Sequence, residues 1–378
     1  MRPLITFVRN FKMGLETPKE YRVAIKKEEV LKFCENCINA VGGKPAHSTA
    51  LGEVLVEGDY RGHYSHGLNR LEMYVRDIEQ KVCSSQDEPF VEIEHPSIAL
   101  VDGNNVLGPV VGNFSMNLAI KKAKETGIAL VAAKNSNHYG IAGHYTIMAM
   151  KQGLIGMSFT NTSPLVYPTR AKQVGLGTNP ISFAAPTKSE KNEFVLDMAT
   201  TTVAVGKLEM CRRKGEKLPS GWAADKSGVM TDDPSQGIAG GLLPLGGPEI
   251  SGGYKGYGLS MMVEILCGIL ANAHWGPNIR RWMDTSKCAD LGQCFIAIDP
   301  SKFGPGFPER MDDFAETMRS LDRVNQDQEI LIPGDPERHH IAEVKHDNGA
   351  IRYPQVLIDS LDTLADRIKV KKMERKVL

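Results

Sequence analysis

The 378-residue chain has no excess of charge of either sign: Lys plus Arg and Asp plus Glu both number 45. The one-sided basic surface that phosphate-backbone binding demands is missing, so nucleic acid is not an expected partner. An apolar run of the ~20 residues needed to cross a bilayer is also lacking. The longest candidate, GLSMMVEILCGILANA (258–273), is shorter and carries Glu264 in its middle, so it reads as a buried helix and no membrane is expected. No G-x-x-x-x-G-K-[ST] phosphate cradle occurs. Cysteine is sparse, odd in number at seven, and scattered. That speaks against a secreted disulfide framework and for a reducing compartment, with the cytoplasm as the expected location. Cys34 and Cys37 form a C-x-x-C, but no second pair stands at zinc-ribbon spacing and the surrounding pattern is helical, so both read as ordinary thiols.

With 42% hydrophobic and 24% charged residues the chain is globular in composition. It is long enough for two sizeable domains or one composite one. Its first residues, MRPLITFVRNFKMG, carry Arg2, Arg9 and Lys12 and no acid before Glu16. They faintly resemble a mitochondrial transit segment but are Ser-poor and show no cleavage site, so residues 1–20 are expected to be an N-terminal extension.

Helical spacing marks 26–42, and 48–62 opens on a Ser/Thr cap. Short Val/Ile/Leu-rich runs bounded by Gly, Asn and Pro then follow at 97–103, 127–136, 153–161, 179–186 and 193–199, with a late one at 292–300. These read as buried strands. Helical stretches at 112–126 and 141–152 alternate with them, which predicts an α/β middle. Residues 240–258 read as a long functional loop, and ILIPGDPE (330–337) as an ordered turn before the last helices. VGLGTNP (174–180), with Asp197 about twenty residues on, imitates a Rossmann fingerprint. Pro180 replaces the third glycine, however, and a strand-like run follows where a helix should begin. VDGNNVLGPVVG (101–112) has the wrong glycine spacing.

RGHYSHGLNR (61–70) concentrates the chemistry. If 65–76 is one helix, His66, Arg70 and Tyr74 recur at i, i+4 and i+8 on one face. Arg70 would then grip a carboxylate bidentately, and His66, with an ordinary pKa near neutrality, would exchange a proton one turn away. A solvated helix surface and a metal site using His63 and His66 are the rival readings, the second lacking an evident third ligand. NSNHYGIAGHY (135–145) places Ser136, His138 and Tyr139 in a loop whose Gly140 and Gly143 permit close approach of a ligand or of backbone. GGYKGYGL (252–259) sets Lys255 at the mouth of a helix, where anions are favoured.

YSHGLNRLEMYV, VDGNNVLGPVVG, NSNHYGIAGHY, LGTNPISFAAP, VLDMATT and YKGYGLSMMVEILCG, in that order over roughly 45–375, resemble the type 2 malate/L-lactate dehydrogenase family. The resemblance implies a non-Rossmann α/β fold: a mixed sheet with flanking helices, plus a helical region built from the N- and C-terminal parts. It implies a helical substrate and dimerisation region over 21–95 and 312–378, a nicotinamide cofactor domain over 96–311, NAD or NADP as cofactor, and a homodimer. His66 would be the catalytic acid/base and His138 the second active-site histidine, to which some members assign the proton instead. Ser65, Arg70 and Tyr74 would contact a small 2-oxo or 2-hydroxy acid. Thr162, Asp197, Met198, Ala199, Lys255, Pro333, Gly334 and Asp335 would contact the cofactor. The expected activity is interconversion of a 2-hydroxy acid and a 2-oxo acid by hydride transfer. The alternatives are reduction of a cyclic imino acid or a diketo sugar acid, a catalytically silent ligand-binding relative, and, outside the family, a zinc hydrolase. PEISGG (248–253) is longer than the matching turn in many members, which leaves cofactor preference open.

Overall fold

The computed structural model describes residues 17–281 and 284–378. The expected N-terminal extension lies, as far as residue 16, outside the described residues.

Seven strands form the main sheet, in the order Phe90–Glu94, Ile98–Asp102, Ile128–Ser136, Leu291–Ile298, Ile155–Thr160, Ile181–Ala185 and Phe194–Met198. Ile98–Asp102 and Ile128–Ser136 run parallel, and every other neighbouring pair is antiparallel. The parallel pair is joined by the helix Gly108–Thr126, which has Pro109 in its first turn and ends on Gly127 at φ 89°, a left-handed stop that glycine makes cheap. A mixed sheet with this one crossover is not a doubly wound Rossmann sheet, and VGLGTNP leads into the strand Ile181–Ala185 as the sequence suggested.

Leu291–Ile298 arrives late in the chain yet lies at the centre, and its residues are nearly all buried. Helices on both faces explain this. Cys294 packs with Val263 and Cys267, while its neighbour Phe295, pointing the opposite way, packs against Tyr139 and Tyr145.

A second core joins the two ends of the described chain. Lys27–Ala40, Pro45–Tyr60, Leu71–Glu79 and Gln355–Ile368 bury Val30, Phe33, Leu51, Leu55, Leu71, Ile358 and Leu361 together with Val23 and Tyr353. These last two belong to a three-stranded sheet ordered Ala350–Tyr353, Val23–Lys26 and Lys376–Val377.

Three local expectations change. The second helix begins at Pro45, not at a cap near residue 48. Ser48 lies inside its first turn, where its hydroxyl donates to Asn39 Oδ1 at 2.7 Å. Residues 240–258 are not a plain loop: they hold the short strand Gly241–Leu242, a 3-10 turn at Glu249–Ser251 and the start of the helix Gly253–Glu264. That helix continues into a π turn, Ile265–Ile269, and the stretch is not buried all round: Ile265, Ile269 and Leu270 are each more than half exposed. Glu264 itself is buried and satisfied by Asn179 Nδ2 at 2.9 Å, Asn161 Nδ2 at 3.1 Å and the Gly276 amide at 3.2 Å. All seven cysteines are unpaired, and Cys34 and Cys37 are buried in the helix Lys27–Ala40. Among the described residues no helix is long and apolar enough to cross a membrane.

Candidate active site

The segment around His66 is not the continuous helix that its spacing predicts. Tyr64–His66 and Leu68–Arg70 are separate 3-10 turns split at Gly67, and the α-helix begins only at Leu71. The cause is Asp59, on the preceding helix. Its Oδ2 accepts the Leu68 amide at 2.9 Å and the Tyr353 hydroxyl at 2.9 Å, and its carboxyl fills the space a side chain at 67 would need. Burial lifts Asp59 to about 7, so near neutrality it is partly protonated.

The broken turn still brings the expected side chains together. Ser65 Oγ lies 2.9 Å from His66 Nδ1, and Arg70 Nε donates to the Ser65 carbonyl at 2.6 Å. His138 comes from the loop after the strand Ile128–Ser136, and its ring stacks on His66 at 5.9 Å and 15°. Tyr74 reaches His138 rather than His66, with its hydroxyl 2.6 Å from Nδ1. The Gly140 amide also donates to Nδ1, at 3.3 Å. An amide can only donate, so Nδ1 is an acceptor and neutral His138 carries its proton on Nε2.

Position in the chain is fixed by backbone contacts that leave no room for a side chain. Asn137 Nδ2 donates to the Val106 carbonyl at 2.9 Å, and a Cβ at Gly108 would collide with the carbonyl oxygens of Asn137 and His138. Gly140 and Gly143 likewise admit protein: a Cβ at 140 would strike Val54, and the Gly143 amide donates to Asp197 Oδ2 at 2.7 Å.

Both rings of the pair are held neutral. Burial, then the charges of Arg70 and His63, push His66 down to about 3. Burial, His66 and Arg70 take His138 well below its ordinary value. His63 behaves oppositely. Burial would lower it, but the hydrogen bond to Glu337 and the charges of Asp197 and Glu337 outweigh that and hold it above its usual value. His63 Nε2 lies 3.3 Å from Glu337 Oε1. Carboxylates thus do stand beside this histidine, supplied from distant parts of the chain, although among the described residues no three His, Cys, Asp or Glu side chains gather as a metal-ligand group.

The expected cofactor residues fall into three places. Asp197 and Met198, on the edge strand Phe194–Met198, and Ala199 adjoin the loop of Pro333, whose carbonyl accepts the Val195 amide at 3.1 Å. The Asp335 carboxylate is occupied by Arg319 Nη2 at 2.8 Å, Arg338 Nη2 at 2.6 Å and the Ile332 amide at 2.8 Å, so it ties this loop to the protein. Gly334, at φ 102°, supplies the left-handed residue that precedes the helix Asp335–His346. Thr162 is set by Asn179 Oδ1, which accepts its amide at 3.0 Å. Its neighbour Ser163 lines a pocket with His138. Lys255 stands apart, exposed near the start of the helix Gly253–Glu264 with its ammonium 5.9 Å from the Tyr254 ring centre.

Sequence reasoning missed Asp59, Glu337 and the pair Arg280 and Arg281. No spacing announces any of them. The only available signal was the tandem arginine near the end of a glycine- and proline-marked segment.

The arrangement offers a guanidinium, two neutral imidazoles and a hydroxyl around one cleft. That set can anchor an anion and move a proton on and off a neighbouring oxygen. Comparisons with known proteins identify the family. The family model described as malate/L-lactate dehydrogenase matches residues 25–362. The malate/(S)-sulfolactate dehydrogenase of Methanothermus fervidus is 39% identical, covering 92% of this chain and 98% of its own. The malate dehydrogenase of Pyrococcus abyssi is 41% identical over 94% and 98%. The solved structure of malate dehydrogenase from Pyrococcus horikoshii OT3 superposes with a TM-score of 0.84 at 37% identity, covering 94% and 98%. With a match that spans nearly its whole length and relatives well above 30% identity, the chain belongs to the malate/L-lactate dehydrogenase family.

Proposed function

We propose that the protein is an NAD- or NADP-dependent dehydrogenase that interconverts a 2-hydroxy acid and a 2-oxo acid. The observation that carries this reading is the stacked, neutral His66–His138 pair beside Arg70 and Tyr74. Arg70, held through Nε by the Ser65 carbonyl, presents its charge to the substrate carboxylate. His138, with its proton on Nε2, donates a hydrogen bond to the oxygen on C2. His66 exchanges the proton with that oxygen, and Ser65 fixes its ring through Nδ1. In the oxidation direction a neutral His66 is ready to accept. In the reduction direction an anionic substrate beside the ring raises its pKa, so proton uptake accompanies binding of the 2-oxo acid.

The residues present fit a nicotinamide dinucleotide. The ten-residue helix Val205–Lys214 has no side-chain cap at its N-terminus, and a Cβ added at its Gly206 would meet only Ser65 Cβ, at 3.9 Å, so backbone donors are accessible beside the proton-transfer site. Lys255 adds an exposed cation at a second helix start. When bound, the reduced nicotinamide supplies the hydride. Thr162, Met198, Ala199 and the Pro333–Asp335 loop would hold the cofactor, with Asp335 acting through the loop it fixes. Asp197 would act with His63 and Glu337 behind it.

The division into a nicotinamide domain over 96–311 and a substrate region over 21–95 and 312–378 is supported by the two separate cores. A homodimer is supported by the apolar face of Met261, Ile265, Ile269 and Leu270, which a monomer would leave in water. The unpaired cysteines support the cytoplasm as its location.

The test is loss of nicotinamide absorbance with purified protein, NADH and NADPH in parallel, against oxaloacetate, pyruvate, sulfopyruvate, diketogulonate and piperideine-2-carboxylate. Turnover of a straight-chain 2-oxo acid is the expected result. Turnover of the cyclic imine or the diketo sugar acid alone would replace the proposed substrate class. Failure of either dinucleotide to bind would leave a silent relative.

A further inference from the structure

The pocket beside His138 encloses about 310 Å³, its mouth included, and is walled by Met73, Ser163, Arg280 and Arg281. Its two adjacent arginines are used differently. Arg280 is consumed by the protein: Nη2 pairs with buried Asp77 at 2.5 Å, and Nη1 donates to the carbonyls of Asp284 at 3.0 Å and Lys287 at 3.2 Å. Its own carbonyl accepts the Ser163 hydroxyl at 2.9 Å. These contacts pin the segment against the helix Leu71–Glu79 and leave the next residue facing the pocket. Arg281 is exposed, and among the described residues its side chain has neither an ion-pair nor a hydrogen-bond partner.

His138 links two cationic residues. The charge of Arg70 reaches its ring, and His138 lines the same pocket as Arg281. The pocket shares His138 with the proposed substrate site, so a substrate held by one carboxylate at Arg70, with its C2 oxygen at the histidines, would have its remaining carbon beside it. With both imidazoles neutral and the charge of Arg280 paired with Asp77, Arg281 is the one uncompensated positive charge among the described residues that line the pocket.

Resting on the dehydrogenase reading above, we propose that Arg281 binds a second anionic group on C3 of the substrate, a carboxylate or a sulfonate, and thereby selects dianionic 2-oxo acids over pyruvate. The guanidinium fork suits either oxyanion, and an ammonium would not reproduce its bidentate geometry. The residue is a specificity determinant and takes no part in the proton step.

The test compares kcat/KM for oxaloacetate, sulfopyruvate and pyruvate in the full-length protein and in Arg281→Gln and Arg281→Glu. The exposed position makes loss of folding an unlikely confounder, and thermal melting of each variant checks it. In the parent protein at least one dianion is expected to exceed pyruvate. In Arg281→Gln the ratio of that dianion to pyruvate is expected to fall by about 10–100-fold, the worth of one charge-assisted contact. In Arg281→Glu it should fall further. Whether oxaloacetate or sulfopyruvate loses more identifies the distal group. An unchanged ratio, an equal loss for pyruvate and the dianions, or a Glu variant more selective than the Gln variant would overturn the role of Arg281 while leaving the dehydrogenase standing. A parent protein that reduces none of the three acids with either dinucleotide would overturn both.

Discussion

His63 and His66 sit three residues apart in one turn, yet the fold drives them in opposite directions. His63 meets Glu337 and the field of Asp197 and is held above its ordinary pKa. His66 meets Arg70 and another histidine and is pushed down to about 3. Both lie in the same local sequence, so residue type and spacing do not decide which one carries a charge. The decision lies in which distant element packs against each ring: the helix Asp335–His346 for His63, and the loop of His138 for His66. One histidine serves as half of an ion pair that ties the turn at 63 to the helix Asp335–His346. The other is kept neutral against the ring of His138.

The sharpest way to break this contrast is to remove the neutral ring. His66→Ala is expected to lower kcat by ~10²–10⁴, the usual worth of a positioned acid or base, with the melting temperature measured alongside to exclude unfolding. If His138→Ala costs far more than His66→Ala, the proton role passes to His138. Next in size, Arg70→Ala should lower kcat/KM by roughly 10–100-fold, mainly through KM, because the contact proposed to anchor the substrate carboxylate is lost. It should also let His66 titrate at a higher pH by removing a nearby positive charge, visible in the NMR shift of its ring.

A smaller effect concerns stability. Folded His66 titrates near 3 and the unfolded residue near 6.5, so between those values the unfolded chain binds more protons and stability falls as pH falls. Asp59 works the other way. Raised from 3.8 to about 7, it makes the folded state bind more protons over that window, so its contribution is lost as pH rises. Asp59→Asn removes the opposing contribution. Its denaturant-derived stability should therefore climb more steeply with pH between 4 and 6.5 than that of the parent, by up to about 1.4 kcal/mol per pH unit. Parallel profiles would mean that Asp59 does not titrate in this range. The smallest expected change in turnover belongs to Glu337→Gln, which should lower the pKa of His63 in an NMR titration while leaving that of His66 nearly in place. A matching fall in both would merge the two environments that the structure separates.

Much of this was legible beforehand, for identifiable reasons. The strands at 128–136 and 155–160 are continuous apolar runs bounded by glycine, and such runs have few alternatives to a covered sheet. His66, Arg70 and Tyr74 drew attention through their spacing, and the fold does bring them to one site, but by a route the spacing misstated. A periodic pattern is blind to a carboxyl arriving from another helix, and Asp59 converts the expected helix into two short turns by capturing the Leu68 amide. Tyr74 accordingly serves His138 instead of His66. Glu337 and Arg281 were invisible for the same reason: their significance is set by partners, or by the want of one, that only tertiary packing assigns. The exposed side of 258–273 was misread because an apolar helix looks the same whether its second face meets its own core or another surface.

Gly108 shows how far such packing extends the set of residues on which activity depends. A Cβ at this position would lie 2.2 Å from the carbonyl oxygens of Asn137 and His138, so any side chain there would lift the loop that carries the second imidazole. In a saturation mutagenesis screen scored by enzyme activity, this position should be as intolerant as the histidines themselves. A map of inactivating substitutions would therefore outline the supports of the catalytic loop as well as its chemistry.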